Sequence, residues 1–141
     1  MRKVWGSLLM GALAAMAVAG CSGAVPASAP PLDEGDVVQS GVGAGETGNL
    51  ERLQAFLDVT QSGGDDAVRV VHHTVEGDPI YTDLSYAEGK YVVYRDTTED
   101  ANGAQKRVKA AECTALVQTD RPDEFCEIAC GSYSFLVADL E

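Results

Sequence analysis

The sequence is poor in the residues and motifs on which most enzymes depend. It has two histidines among 141 residues, and only 6% of its residues are aromatic, so few side chains are available for acid–base chemistry or for an aromatic pocket. It contains no Gly-x-Ser-x-Gly, no His-x-x-x-His and no Walker phosphate-binding loop, and we expect no dinucleotide-binding glycine pattern either. Without a Cys-x-x-Cys pair, a thioredoxin-like activity has no support. We therefore expect a protein that is not an enzyme.

Basic residues are also scarce. Ten Lys and Arg stand against 22 Asp and Glu, which gives a formal net charge of −12. Such a surface repels polyanions, so we expect no nucleic-acid partner. The acidity is typical of a protein that stays soluble outside the cell, and weak cation binding is the alternative interpretation.

A single uncharged apolar run, Val4–Ala19, lies near the N-terminus. Two basic residues precede the run, and Gly20-Cys21 follows it, as in a secretory signal peptide. The run is shorter than the ~20 residues that a spanning helix needs. Val18-Ala19-Gly20-Cys21 resembles the lipobox of bacterial lipoproteins, in which the cysteine receives a diacylglyceryl group. The sequence therefore predicts a signal peptide over 1–20 and an extracytoplasmic protein anchored in the bilayer of a bacterial membrane through Cys21.

Residues 21–48 have the composition of a flexible tether. Pro, Ala and Ser dominate its first part, and Gly41–Gly48 is rich in glycine. Val37-Val38 interrupts the tether and could add a short edge strand. We expect the folded domain to occupy 49–141.

A helix followed by strands is predicted for this domain. Asn49 is a favoured N-cap, and an apolar stripe with helical spacing follows it at Leu50, Leu53, Phe56 and Leu57. Strand patterns cover 67–75, 80–86, 90–96, 106–117, 125–129 and 133–140. The predicted fold class is α+β, with one N-terminal helix packed on a small antiparallel meander of four to five strands.

The hairpin over 80–96 also predicts a register. If Ala87-Glu88-Gly89 forms a three-residue loop, Leu84 lies opposite Val92 and Tyr81 lies opposite Arg95. Tyr81, Tyr91 and Arg95 then form a candidate interaction patch, provided that they face away from the helix.

Two segments resemble a known family. Asn49–Leu57 and the run Thr74-Val-Glu-Gly-Asp-Pro-Ile80 are similar to the DUF4362 family of small bacterial lipoproteins, with the likeness extending over about 33–130. The family has no established activity, so the resemblance implies a fold and a location but no mechanism.

Three cysteines remain once Cys21 is lipidated. Cys126 and Cys130 lie four residues apart on a predicted strand, ~13 Å from each other, which exceeds disulfide reach. Either could pair with Cys113 and close a loop worth about 3 kcal/mol in the chain-entropy model. The DUF4362 resemblance favours Cys113–Cys130, because the family tends to carry two late cysteines at these places. Cys126 is then expected to be a buried apolar side chain, with a dimer contact or a redox thiol as alternatives.

Neither a metal nor a cofactor is expected. The adjacent His72 and His73 point to opposite faces of a strand, so a metal site would need one of them plus a carboxylate such as Asp83. The acidic loop 98–103 lacks the spaced ligands of a calcium-binding loop.

Three functional hypotheses follow. The leading one is a non-catalytic cell-envelope module that contacts a protein or wall partner through its open sheet face. The second is a small-ligand or metal-binding lipoprotein with a cleft lined by Phe56, Leu84 and a histidine. The third is an inhibitor of a secreted hydrolase that uses a protruding rigid loop at Gly77–Pro79.

Overall fold

The computed structural model describes residues 30–140, and the predicted signal peptide and Cys21 lie outside this range. The described chain is mostly β-structure. In chain order the elements are a 3-10 turn at Glu34–Asp36, β1 at Val37–Ser40, β2 at Thr47–Gly48, α1 at Leu50–Gln61, β3 at Asp66–His73, β4 at Pro79–Ala87, β5 at Lys90–Asp96, β6 at Arg107–Cys113, β7 at Val117–Asp120, β8 at Phe125–Cys130 and β9 at Tyr133–Ala138.

These strands form two sheets. The larger has six strands in the order β2-β1-β3-β4-β5-β6, and it is mixed because β1 runs parallel to β3. The smaller has the order β7-β8-β9. The predicted fold class is therefore wrong: the one described α-helix comes after two strands, and the last three strands leave the meander to form a second sheet. The predicted strand over 106–117 breaks after Cys113, and the chain resumes as β7, four exposed residues without an apolar pattern.

The domain begins before its predicted boundary at residue 49. Val37-Val38 forms a strand as predicted, but β1 is an interior strand between β2 and β3, and Val38 is fully buried. The glycine-rich segment after it packs closely on β3: a Cβ at Gly43 would lie 1.9 Å from the carbonyl oxygen of His73. These glycines permit close backbone approach, and the prediction misread them as a sign of flexibility.

The helix starts at the predicted position, but the role of Asn49 differs from the predicted N-cap. Asn49 has a left-handed backbone, with φ of 58°, and its side chain makes no capping bond to the helix. Its amide donates instead to the carbonyl oxygens of Gly35 and Val37, at 3.0 and 2.9 Å. The residue therefore ties the start of α1 to the start of β1.

The core lies on one face of the six-stranded sheet, here called the inner face. Leu53, Phe56 and Leu57 of α1 cover part of it, and Ile128, Phe135 and Val137 of the smaller sheet cover the rest. A Cys113–Cys130 disulfide joins β6 to β8, which confirms the pairing favoured by the resemblance. Cys126 is free and buried, and burial raises the pKa of its thiol.

The turn between β4 and β5 sets the register of the hairpin. Ala87 pairs with Lys90, so the loop has two residues, Glu88 and Gly89, both with positive φ as in a type I′ turn. Tyr81 consequently pairs with Asp96, and Leu84 with Val93. The predicted register is wrong by one residue, and such a shift turns every side chain of one strand to the other face.

Candidate functional site

The predicted patch of Tyr81, Tyr91 and Arg95 does not form. Tyr91 lies on the inner face, 3% exposed, where its hydroxyl donates to Thr60 Oγ1 at 2.8 Å. Arg95 is exposed but pairs with Thr82, so it shares the inner side of the sheet with Tyr91. Tyr81 points to the opposite side, here called the outer face. The one-residue register change therefore separates Tyr81 from both of its predicted companions.

The outer face carries a different group, organised by a buried carboxylate. Asp83 is 3% exposed and accepts hydrogen bonds from Arg69 Nε and Nη2, at 2.6 and 2.9 Å. Arg107 Nη2 donates to the same carboxylate, at 2.6 Å from Oδ2. Strand order brings the three together, since Arg69 lies on β3, Asp83 on β4 and Arg107 on β6. We call them the Arg69–Asp83–Arg107 cluster.

Two tyrosines hold the guanidinium groups of this cluster. The guanidinium carbon of Arg69 lies 4.8 Å from the centre of the Tyr81 ring, and that of Arg107 lies 5.1 Å from the centre of the Tyr94 ring. Both distances suit a cation–π contact. The hydrogen bond to Asp83 raises the pKa of Arg69, so this guanidinium stays charged. Each arginine is therefore fixed by both a carboxylate and an aromatic ring.

The outer face also differs in charge from the rest of the molecule. Eight Lys and Arg lie after residue 20, and the strand register places four of them on this face: Arg69, Lys90, Arg107 and Lys109. Three carboxylates of the strands, Asp83, Asp96 and Glu112, share the face with them, and the loop residue Glu99 adds a fourth at the Tyr81 side chain. In a chain with a formal charge of −12, this face is close to neutral.

The metal hypothesis finds no group of ligands in residues 30–140. No three His, Cys, Asp or Glu side chains of this range are placed to hold an ion. Asp83, the carboxylate suggested as a partner for a histidine, is engaged by two arginines. His72 and His73 fall on opposite faces of β3, as alternation predicts, and burial is the main cause of the lowered pKa of His72.

The predicted ligand cleft is filled. Phe56 and Leu84 are at most 1% exposed and belong to the core. A shallow groove of about 640 Å³ lies elsewhere, between α1 and the C-terminal residues. Glu51, Glu124 and Asp139 line it together with Leu50 and Leu140. The groove is acidic and open, so its lining does not indicate a particular ligand.

The expectation that the sequence lacks a dinucleotide-binding glycine pattern is wrong. Residues Gly43–Gly48 have the spacing Gly-x-Gly-x-x-Gly, and they lie between β1 and α1 of a β-α-β unit, as in dinucleotide-binding proteins. In those proteins the motif opens directly into the helix. Here β2 and the left-handed Asn49 intervene, and the motif itself contains the acidic Glu46, which disfavours a phosphate. Close packing on His73 explains Gly43 and Gly45, and Gly48 lies against Gln39 instead.

The turn between β3 and β4 protrudes, as the inhibitor hypothesis requires. Val75 is 85% exposed at its tip. Four hydrogen bonds brace the turn: Thr74 N to Asp78 O, Gly77 N to Thr74 O, Asp78 N to Thr74 Oγ1, and Ala101 N to Asp78 Oδ2. The braced segment runs from Thr74 to Asp78, because Pro79 already belongs to β4.

Comparison with known proteins assigns the family. Within the described range, no helix is long and apolar enough to cross a membrane. No curated protein and no solved structure matches the chain. The model of a domain of unknown function, DUF4362, matches residues 34–126, which agrees with the resemblance found in the sequence and with a domain that starts at the first turn before β1. Because this match spans well over half of its length, the chain belongs to the DUF4362 family.

Proposed function

We propose that this protein is an exported lipoprotein, held on the outer side of a bacterial membrane by Cys21, and that it acts by binding. The support for the anchor is the order of basic residues, uncharged apolar run and Gly20-Cys21 at the N-terminus. A lipid at this position places the β-domain close to the bilayer surface.

Metabolic labelling with a palmitate analogue tests the anchor. The full-length chain should take up the label and sediment with membranes, and Cys21→Ala should lose both properties. Cys126→Ala, which removes another free thiol, is the matched control and should keep them. An unlabelled wild-type chain would contradict the anchor.

The binding surface that we propose is the outer face around the Arg69–Asp83–Arg107 cluster. The observation that carries this proposal is the fixing of two arginines by one buried carboxylate, with Tyr81 and Tyr94 against them. Arginine and tyrosine, together with tryptophan, are enriched at binding hot spots. Side chains that are already ordered lose less conformational entropy when a partner binds.

Photocrosslinking in intact cells tests this surface. A photoreactive phenylalanine analogue in place of Tyr81 keeps an aromatic ring and should give a discrete crosslinked product. The same analogue at Gln118, on the exposed strand β7, is the control and should not give it. Equal products from both positions, or none from position 81, would contradict a binding role for the outer face.

A second candidate is inhibition of a secreted hydrolase. The braced turn with the exposed Val75 supports it, because a small apolar side chain on a rigid loop fits the small specificity pocket of an elastase-like protease. The chain should then inhibit elastase, and Val75→Asp should abolish inhibition without changing thermal stability. Lack of inhibition by the wild-type chain removes this candidate.

A further inference from the structure

The arginines of the Arg69–Asp83–Arg107 cluster have hydrogen-bond donors to spare. A guanidinium carries five N–H groups. Asp83 takes two from Arg69 and one from Arg107. The carboxylate is 3% exposed, whereas the arginine side chains are 30% and 32% exposed. Asp83 therefore lies beneath the guanidinium groups, and their remaining donors can be reached from solvent.

The two guanidinium groups are also placed in relation to each other. Arg69 Nη2 and Arg107 Nη2 both donate to Oδ2 of Asp83, so one oxygen atom joins them. Their planes are further restrained by the rings of Tyr81 and Tyr94. Planar donors held in this manner fit an oxyanion that accepts two parallel bonds, such as a carboxylate or a phosphate.

The charge of the surrounding surface favours a carboxylate over a phosphate. Two arginines and one aspartate give the cluster a formal charge of +1, but Asp96 interacts with both arginines and Glu99 interacts with Tyr81, so the sum with these two carboxylates is −1. The whole chain is strongly negative, so a densely charged phosphate polymer is repelled by the surface around the cluster. A single carboxylate matches the charge of the three cluster residues and adds less negative charge to this surface than a phosphate does, and an adjoining peptide can contact the half-buried ring of Tyr81.

We propose that Arg69 and Arg107 bind one carboxylate group of a peptide partner, either an acidic side chain or a C-terminus. Asp83 acts as a positioning residue that holds both arginines in place. This inference rests on the binding role proposed for the outer face and names the chemistry that the face recognises.

Titration followed by NMR tests the proposal on the full-length chain in detergent, labelled with ¹⁵N-arginine. The probe is N-acetyl-aspartic acid amide, which has one carboxylate. It should shift the Nε–H signals of Arg69 and Arg107, while N-acetyl-asparagine amide should not. Equal shifts with both probes, no shift with either, or tighter binding of inorganic phosphate than of the aspartate probe would overturn the assignment.

Two variants separate the site from general charge effects. Arg107→Gln should weaken binding of the aspartate probe about tenfold, the loss expected for one charge-assisted pair. Arg121→Gln, which removes an exposed arginine paired with Asp123 in the turn between β7 and β8, should leave binding of the aspartate probe unchanged. If Arg107→Gln does not fold, Arg107→Lys keeps the charge without the planar fork and should also weaken binding. Unchanged binding in the folded variant would contradict the proposal.

The outcomes also distinguish this inference from the proposed function. If the arginine signals do not respond while crosslinking from position 81 persists, the outer face binds a partner by other means and only the carboxylate assignment falls. If neither the arginine signals respond nor the crosslinked product forms, the outer face is not the binding surface that we propose.

Discussion

Asp83 is the residue on which the order of the outer face depends. Its carboxylate is buried and satisfied by two arginines, so its removal leaves two positive charges without their common partner. We expect Asp83→Asn to lower the free energy of unfolding by about 1–3 kcal/mol, because each guanidinium is partly exposed and can recover some hydration. Asp123→Asn, at an exposed ion pair, should cost much less. Urea denaturation measures both, and equal losses would contradict the structural role of Asp83.

His72 makes stability depend on pH. Burial, with smaller contributions from Arg95 and His73, lowers the pKa of His72 in the folded protein. The unfolded chain therefore binds the proton more readily, and stability is lost as pH falls through the ordinary histidine pKa of about 6.5. The urea midpoint should drop between pH 7.5 and pH 5.5, and His72→Gln should reduce the drop. A drop of the same size in His72→Gln would show that other groups cause it.

Among the elements, the β4–β5 turn has the largest consequence for function, because it decides which side chains share the outer face. Glu88 adopts φ of 54° and Gly89 φ of 78°, a conformation that glycine and asparagine tolerate best. We expect Glu88→Asn to raise the free energy of unfolding by about 0.5 kcal/mol and Gly89→Ala to lower it by about 1 kcal/mol. Thermal or urea unfolding checks both signs. A stabilising Gly89→Ala would contradict the type I′ turn.

The same turn shows where the sequence stops being informative. Alternation along 80–86 and 90–96 predicts the two strands correctly, but a loop of two residues and one of three both fit Ala87-Glu88-Gly89. A loop of two residues instead of three changes the cross-strand partner of Tyr81 from Arg95 to Asp96. The binding cluster was missed for this reason, and also because Arg69 and Arg107 belong to strands separated in sequence by more than thirty residues.

For the whole molecule, the Cys113–Cys130 disulfide is a covalent cross-link between the two sheets in addition to the main chain. The double variant Cys113→Ser/Cys130→Ser should lose about 2–4 kcal/mol of unfolding free energy, because the unfolded chain gains freedom when the loop opens. Cys126→Ala should lose less, since it removes one buried sulfur and no cross-link. Non-reducing peptide mapping should find Cys113 joined to Cys130. A disulfide that includes Cys126 would contradict the arrangement of the smaller sheet.

For the molecule as a whole, the sequence predicted the individual helix and strands better than the arrangement of the strands into two sheets. The family, the helix and most strand positions follow from local patterns and from residues such as Thr74–Ile80. The division into two sheets does not, because β7 has no apolar pattern and the break after Cys113 carries no turn signal. The parallel pairing of β1 with β3 also depends on the crossover through α1, which composition does not encode.

The central claim is that the outer face binds a partner through its ordered arginines. The most direct test is the yield of the product crosslinked from position 81 in intact cells, compared between the parent chain, Arg107→Gln and Arg121→Gln. The account predicts that Arg107→Gln removes most of the product and that Arg121→Gln leaves it unchanged, at equal protein levels. A product that persists in Arg107→Gln, or that falls equally in both variants, would contradict the account.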